Sequence, residues 1–293
     1  MTVPTSVHTP VMLAEVLAGL VPGPGAIIVD GTLGGGGHSR ALAERVQPAG
    51  RVIALDRDPA AIEAARKHLA DLPVTAVQAN FCDLPEVLAE LGVASVDGIL
   101  LDLGLSSDQL ADQQRGFSFS STGPLDLRFD PTRDKPAWRL LERLSAEHLA
   151  DLIYHYGEER YSRRIARAIV EQRREKPIET AAELAELVRR CVPRSKRDRI
   201  DPATRTFQAL RIAVNDELKS LEIALRRLPD CLRPAGRLAV ISFHSLEDRR
   251  VKEAFRDDPR LTALTRKPTV ATEGETAENP RSRSAKLRVA ARN

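Results

Sequence analysis

The sequence has 293 residues, a formal net charge of +3 and 42% hydrophobic residues, values typical of a folded chain with one large core or two domains. It contains no apolar run of about 18 residues and no charged segment followed by an apolar stretch, so it predicts neither a membrane span nor a signal peptide. We therefore expect a cytoplasmic protein. Cys82, Cys191 and Cys231 are far apart and lack Cys-x-x-Cys spacing, which favours buried free thiols over disulfides or zinc.

Arginine dominates the basic residues. Of the 44 basic side chains, 36 are Arg and 8 are Lys. The guanidinium group forks onto phosphate and stacks on bases, which suits an RNA partner, but a GC-rich genome or a heat-adapted host gives the same bias. The position of the arginines along the chain therefore carries more information than their number.

Strands and helices are predicted to alternate along the first hundred residues. An amphipathic helix over Val11–Leu20 is broken by the run Pro22–Gly25, and a buried strand then starts at Ile27. This alternation is typical of a parallel α/β sheet. The later elements of the pattern are strands at Arg51–Leu55, Val74–Val77 and Val96–Leu101, and helices at Ser39–Val46, Pro59–Leu72 and Leu84–Leu91.

The first strand leads into four consecutive glycines, Gly34–Gly37. Because glycine has no Cβ, this loop can take positive φ angles and let another molecule approach the backbone. Asp56 closes the second strand 20 positions beyond Gly36, the separation at which a doubly wound fold brings a carboxylate to a ribose. A glycine run also occurs in plain tight turns, and it is Asp56 that favours a nucleoside-containing cofactor.

Two cofactors fit a glycine loop followed by an acid. A dinucleotide needs a third glycine or an alanine where this chain has Ser39, so that the helix packs closely and its N-terminus meets the pyrophosphate. S-adenosylmethionine has no phosphate and needs an open glycine turn, a carboxylate for the ribose and an apolar wall for adenine. The Asp30–Gly37 loop, Asp56 and Phe81 meet these needs, although a Phe beside a sheet is also a common core residue.

The alternation stops after Leu103 for more than a hundred residues, which indicates an insertion. Its first part, Gln113–Thr132, is rich in Gly, Ser, Asp and Pro and is predicted to lack regular structure, as in many functional loops. A capping box at Thr180 and Glu183 and the pair Asp201-Pro202 mark two helix starts. The predicted helices are Ala137–Leu144, Ala146–Tyr156, Tyr161–Glu175, Ala181–Val192 and Pro202–Leu228.

Basic residues concentrate in this inserted segment. Arg163, Arg164 and Arg167 crowd one side of a predicted helix, and Arg197 and Arg199 continue the trend downstream. Like charges at this spacing repel one another. A solvated helix face explains any single arginine, whereas the cluster favours phosphate binding.

The α/β pattern resumes with a buried strand at Gly236–Phe243 and a helix at Glu247–Phe255. The polar, proline-broken stretch Asp257–Asn279 is predicted to be a mobile loop, and Ser284–Ala290 to be a last, edge strand. We thus expect a discontinuous catalytic domain at 1–110 plus 216–293. The inserted loop and helical substrate-recognition domain would occupy 111–215.

Short strings spread over nearly the whole chain carry a family resemblance. They are His8–Met12, Asp30–Thr32, Gly36–Arg40, Asp56–Pro59, Leu101–Gly104 with Ser106-Ser107, Arg115–Phe119, Gly123–Asp126, Ala203–Gln208, Phe243–Arg249 and Asn279–Arg281. This set resembles the bacterial small-subunit ribosomal RNA cytosine-N4-methyltransferase family, RsmH or MraW. The resemblance implies a class I S-adenosylmethionine-dependent methyltransferase (Rossmann-like) sheet with an inserted all-helical domain.

The same resemblance implies an activity and its partners. The activity is methylation of one cytosine amine in the decoding region of 16S ribosomal RNA, with S-adenosylmethionine as the cofactor. The RNA is expected within the small ribosomal subunit, no metal or membrane is expected, and a homodimer is left open. Carried over residue by residue, the cofactor contacts would fall on Gly36, Gly37, His38, Asp56, Phe81, Asp102 and Gln109.

Asp102 is the expected catalytic residue, at the end of the fourth strand. A carboxylate that accepts a hydrogen bond from the cytosine amine localises the nitrogen lone pair, while the site holds nitrogen, methyl and sulfur in line. Many amino-methyltransferases have Asp or Asn, two prolines and an aromatic here, and this chain keeps only the carboxylate. Phe243 or His244 could therefore face the base. As alternatives, Asp102 could only cap a turn, His38 could only cap a helix, and Gln109 could be solvated.

Two other functions stay open at this point. A dehydrogenase would use the same sheet with a dinucleotide, but Ser39 and the arginine-rich insertion count against it. A non-enzymatic RNA-binding assembly factor would keep the fold without turnover. The retained carboxylates of Asp56 and Asp102 disfavour this second alternative.

Overall fold

The computed structural model describes residues 10–119, 121–133, 135–193 and 200–293. They form two compact units, one comprising residues up to Ser106 together with Leu218–Asn293, and the other Ser107–Glu217. Within these ranges, no helix is both long enough and apolar enough to cross a bilayer. The role of the second unit in substrate recognition stays a prediction.

Helices and strands follow one another as the hydrophobic pattern requires. Within the described residues the helices are α1 (Leu13–Leu20), α2 (Gly37–Val46), α3 (Pro59–His68), α4 (Leu84–Glu90), α5 (Ser107–Ala111), α6 (Ala137–Arg143), α7 (Ala146–Gly157), α8 (Ser162–Glu175), α9 (Ala181–Cys191), α10 (Thr204–Asn215), α11 (Glu217–Cys231), α12 (Ser245–Asp257) and α13 (Glu273–Glu278). The strands are β1 (Ile27–Asp30), β2 (Arg51–Asp56), β3 (Val74–Gln78), β4 (Val96–Asp102), β5 (Leu232–Ser242), β6 (Leu261–Ala263), β7 (Thr269–Val270) and β8 (Lys286–Arg292).

The strands of the first unit form one sheet in the order β3-β2-β1-β4-β5-β8-β6, and β7 also pairs with β8. Strands β1 to β5 run parallel, whereas β8 is antiparallel to its neighbours β5 and β6. Val29, Ile53 and Leu101 lie in one buried cluster, and Ile28 and Val52 lie in another. Successive side chains of a strand thus enter opposite cores, as expected for a sheet covered on both faces. The predicted class I, Rossmann-like sheet is confirmed.

The topology brings three carboxylates to one edge of the sheet. Asp30, Asp56 and Asp102 are the last residues of β1, β2 and β4. The chain returns from β3 to pair β4 with β1, and this reversal of strand order creates a crevice at the carboxyl ends of the strands. This edge is therefore where the candidate functional site lies.

The second unit combines helices α5 to α10 with a long irregular segment. Helix α9 begins with the predicted capping box, in which the Glu183 N–H donates to Thr180 Oγ1 at 3.2 Å. In the segment without regular structure, the side chain of Leu127 is buried. Asn215 holds this segment, because its Nδ2 donates to the Leu127 carbonyl and its Oδ1 accepts the Phe129 N–H, both at 2.7 Å. The segment is irregular, as predicted, but it is fixed by buried contacts.

The single helix predicted for Pro202–Leu228 is wrong. The chain forms α10 and α11 instead, separated by Asp216 at a left-handed φ of 50°. Asn215 contributes to the break, because its side chain donates to the Arg211 carbonyl at 2.9 Å and thereby competes with the helix backbone. The predicted start was also early, since Asp201 accepts from the Ala203 N–H and α10 begins at Thr204.

The C-terminal predictions need two corrections. Strand β8 lies inside the sheet between β5 and β6, so it is not an edge strand. It carries the buried Arg288, whose charge is compensated by Asp248 at 2.7 Å. Because of this charged residue, the sequence of β8 does not show the apolar pattern of an inner strand. The stretch Asp257–Asn279, predicted as a loop, contains β6, β7 and α13. Its short strands are ordered by pairing with β8, a contact that is distant in sequence.

Candidate functional site

The glycine loop between β1 and α2 turns at Gly34 and Gly36, whose φ angles are 47° and 80°. The positive φ angles that the glycine run allows therefore occur at these two positions. A Cβ at Gly31 would lie 2.5 Å from Leu101 Cδ2, and one at Gly37 would lie 3.0 Å from a Pro10 ring carbon. Because side chains are excluded, the backbone itself forms the surface of the loop.

Asp56 faces this loop from the end of β2. Its Oδ2 accepts the Gly34 N–H at 2.8 Å, and its Oδ1 accepts the Asp58 N–H at 2.9 Å. Burial raises the pKa of Asp56 to about 6, against the opposing effect of the two backbone N–H donors. Each carboxylate oxygen retains a lone pair, and the residue is partly exposed. Asp56 can therefore accept two further hydrogen bonds from a ligand.

Asp30 was not predicted as a site residue, although it organises the loop. It is fully buried, and its Oδ2 accepts the Ser39 hydroxyl at 2.7 Å while its Oδ1 accepts the Thr32 N–H at 3.1 Å. Burial raises the pKa of Asp30, and the nearby His38 opposes that shift. The sequence did contain a signal for this role of Asp30: an acid at the end of a buried strand, followed by Ser39 at the start of the next helix. Asp30 thus joins both ends of the glycine loop.

Asp102, at the end of β4, lies close to His38, at the start of α2. The Asp102 N–H donates to Thr32 Oγ1 at 2.6 Å, and Asp102 Oδ2 lies 3.7 Å from His38 Nδ1. The buried His38 has its Nε2 at 3.0 Å from the Val11 carbonyl. Because a carbonyl only accepts, Nε2 carries the proton and Nδ1 faces the carboxylate. The N-cap of α2 is Gly36, and the His38 ring instead contacts the Val11 carbonyl. Asp102 Oδ1 accepts from the turn at Gly104, at 3.3 Å.

Aromatic side chains border the same edge of the sheet. Phe81 begins a short 3-10 helix after β3, and its Cβ lies 3.1 Å from the position of a Cβ at Gly31. The Phe243 ring lies 2.7 Å from the position of a Cβ at Gly104, so it packs on the turn that follows Asp102. Phe81 thus lies beside Gly31 at the start of the glycine loop, and Phe243 lies beside the turn that follows Asp102. The predicted contacts of Phe81 with adenine and of Phe243 with the base stay predictions.

His244 is held at the end of β5 by a buried acid that the sequence analysis did not select. Its Nε2 lies 3.0 Å from Glu247 Oε1, and Glu247 Oε2 accepts the Phe243 N–H at 2.8 Å. Both side chains are almost fully buried. Glu247 therefore fixes the backbone that presents Phe243 and His244.

The remaining predicted residues lie in the second unit. Gln109 is in α5, and Arg163, Arg164 and Arg167 are on the exposed side of α8. Their roles stay predictions. The other two arginines assigned to the substrate, Arg197 and Arg199, lie outside the described residues.

Comparison with known proteins agrees with this geometry. The family model of the MraW methylase family matches residues 5–293. A protein of Synechococcus elongatus named ribosomal RNA small subunit methyltransferase H is 52% identical over 286 residues, with 97% of this chain and 94% of the relative covered. Proteins of the same name from Rhodopirellula baltica and Thermomicrobium roseum are 51% and 49% identical, with 97% and 98% of this chain and 91% and 94% of the relatives covered. The chain belongs to the MraW methylase family.

Proposed function

We propose that this protein transfers the methyl group of S-adenosylmethionine to the N4 amine of one cytidine in the decoding region of 16S ribosomal RNA. The observation that carries the proposal is the meeting of the glycine loop, Asp56 and Asp102 at one edge of the sheet. The RNA class follows from the family and from the names of the curated relatives. The choice of the cytosine amine rests on the family and on the carboxylate at the end of β4.

The first unit fits S-adenosylmethionine. The turn at Gly34 and Gly36 takes positive φ angles and carries no side chains, so a cofactor could approach its backbone. Asp56 has free lone pairs for two ribose hydroxyls. Phe81 would contact the adenine, and Gly37, His38 and Asp102 complete the proposed set of contacts. When bound, the cofactor supplies an electrophilic methyl group on a sulfonium.

The residues at the end of β4 act on the amine. Asp102 Oδ1 faces the turn at Gly104, and Oδ2 is the oxygen that would accept a hydrogen bond from the cytosine N4. This bond withdraws the amine lone pair from the pyrimidine ring and directs it towards the methyl group. Thr32 Oγ1 accepts the Asp102 N–H and so positions Asp102. Phe243, packed on the turn at Gly104, would contact the base. Orientation and an electrostatic acceptor are thus the main catalytic contributions of the chain.

The second unit would bind the RNA around the target. Among the described residues, Arg163, Arg164 and Arg167 on α8 provide positive charge, and the polyanionic backbone of RNA is the partner that such charge attracts. We propose the small ribosomal subunit, not free RNA, as the substrate. Whether the active form is a homodimer is answered by light scattering of the purified chain.

The decisive experiment incubates the protein with radiolabelled S-adenosylmethionine and with small subunits that lack the modification. The expected result is label in N4-methylcytidine after nuclease digestion. An exposed acid, Asp71, provides the matched control, since Asp71→Asn should keep the activity that Asp102→Asn loses. Label in another nucleoside would refute the assignment. Stabilisation against heat by NAD, but not by S-adenosylmethionine, would favour the dehydrogenase alternative.

A further inference from the structure

A groove lies between helices α7 and α8 of the second unit. Its volume is about 480 Å³, within the range of roughly 300–1,000 Å³ usual for sites of small ligands. The groove is open to solvent on one side. The residues that line it are Ala146, Glu147, Ala150, Asp151, Arg163 and Arg167.

The arginines of this groove are available to a ligand. In the described parts of the chain, neither Arg163 nor Arg167 has a carboxylate within 4.0 Å, and the one bond found joins Arg167 Nε to the Arg163 carbonyl. By contrast, Arg128, Arg189 and Arg211 of the same unit each contact a carboxylate at 2.6–2.8 Å. Glu147 and Asp151 also line the groove, but neither lies within 4.0 Å of these two guanidinium groups. Both guanidinium groups therefore keep donors for an anion such as a phosphate.

An exposed aromatic side chain follows the groove along α7. Tyr154 is three residues beyond Asp151, so it lies on the same side of the helix, about one turn further on. Its side chain is 56% exposed and is supported on one edge by the His155 ring at 5.2 Å. Tyr154 is not itself a lining residue, but it continues the α7 side of the groove. Exposed aromatic and cationic side chains together are found where proteins bind single-stranded nucleic acids.

The end of α7 that carries Tyr154 packs on α10. A Cβ at Gly157 would lie 2.4 Å from the Arg205 carbonyl oxygen, so the two helices are in direct backbone contact there. Gln208 Nε2 also donates to the Tyr156 carbonyl at 2.9 Å. The backbone next to Tyr154 is therefore packed, while the Tyr154 side chain is exposed.

We propose that this groove binds one unpaired nucleotide of the RNA substrate, other than the target cytidine. Tyr154 stacks on the base, Arg163 and Arg167 bind the phosphate, and Asp151 accepts a hydrogen bond from an amino group of the base. A duplex does not fit, because its bases are stacked and its Watson–Crick edges are paired. This inference rests on the proposed function, since it names a second contact of the same RNA.

The test measures binding of a short unpaired oligoribonucleotide, of the same sequence in a duplex, and of unmodified small subunits. Tyr154→Ala is expected to weaken binding of the unpaired RNA about 5- to 150-fold, the loss typical of one stacked base. It should also raise KM for the subunits, with a smaller change in kcat. Tyr154→Phe keeps the ring and should bind as the wild type does. Arg174 is an exposed arginine in the last turn of α8. The variant Arg174→Gln is the control for the variants Arg163→Gln and Arg167→Gln.

The outcomes separate this inference from the proposed function. If the wild-type protein methylates the subunits while Tyr154→Ala binds unpaired RNA normally, the groove is not a nucleotide site. Equal losses for unpaired and duplex RNA would also overturn the inference, because they would indicate contact with the backbone alone. If the wild-type protein fails to methylate but Tyr154→Ala still weakens oligonucleotide binding, the proposed function fails and the groove remains a nucleotide site.

Discussion

The affinity for S-adenosylmethionine should depend on pH through Asp56. Its pKa is raised to about 6 by burial, so in the free protein this carboxyl begins to take up a proton below neutrality. The ionised form accepts hydrogen bonds from two ribose hydroxyls more strongly than the protonated form, so bound cofactor would hold Asp56 ionised. Binding should therefore weaken as the pH falls through about 6, with release of protons when the cofactor binds in that range.

The magnitude follows from the linkage of ionisation and binding. With a pKa of about 6 in the free protein and a pKa well below 5 in the complex, the dissociation constant at pH 5 should be about tenfold that at pH 7. The stability of the free protein should depend on pH in the opposite direction to the affinity for the cofactor. Because the folded pKa lies above the usual 3.8, the contribution of Asp56 to stability is complete below about pH 4 and is lost as the pH rises through about 6.

Isothermal titration calorimetry at about pH 5, 6 and 7 measures both the affinity and the protons released. Asp56→Asn removes the titrating group and should bind weakly with little dependence on pH. Asp71→Asn, at an exposed carboxylate, should keep the wild-type profile. A wild-type affinity that stays constant from pH 7 to pH 5 would refute the reasoning, as would an unchanged profile in Asp56→Asn.

Three other predictions concern the fold, the reaction and the RNA. Gly31→Ala should lower the free energy of unfolding by about 1–3 kcal/mol in urea denaturation, because its Cβ would lie 2.5 Å from a Leu101 methyl group; unchanged stability would contradict this packing. Asp102→Asn should reduce the single-turnover rate of the cofactor-saturated protein about 10²–10³-fold, much more than it lowers stability or cofactor affinity. A wild-type rate would move the catalytic role to another residue. Reversal of three arginines to Glu should weaken RNA binding. The slope of log K against log salt concentration should become shallower by about 0.7 for each phosphate that the variant no longer neutralises. Cofactor affinity is the control, and an unaltered slope would place the RNA elsewhere. These arginines are Arg163, Arg164 and Arg167.

The sequence alone predicted the features that depend on neighbouring residues. The apolar period identified the strands β1 to β5, and the glycine run identified the turn at Gly34 and Gly36. The spacing from Gly36 to Asp56 predicted a contact between this carboxylate and a ribose, and that contact stays a prediction. The structure does show Asp56 bonded to the Gly34 N–H of the loop. Such features are local because they follow from backbone propensity and from the two-residue period of a strand.

Contacts between distant residues were decided only by the tertiary structure. In the sequence, Asp30 is an ordinary strand end, and only the structure shows it buried against Ser39. Likewise, the sequence leaves the role of His38 open, and only the structure shows its ring near Asp102. Strand β8 could not be recognised as an inner strand, because its buried Arg288 is compensated by Asp248, 40 positions away. The burial of a polar group depends on its partner, and that partner is set by the fold and not by the neighbouring sequence.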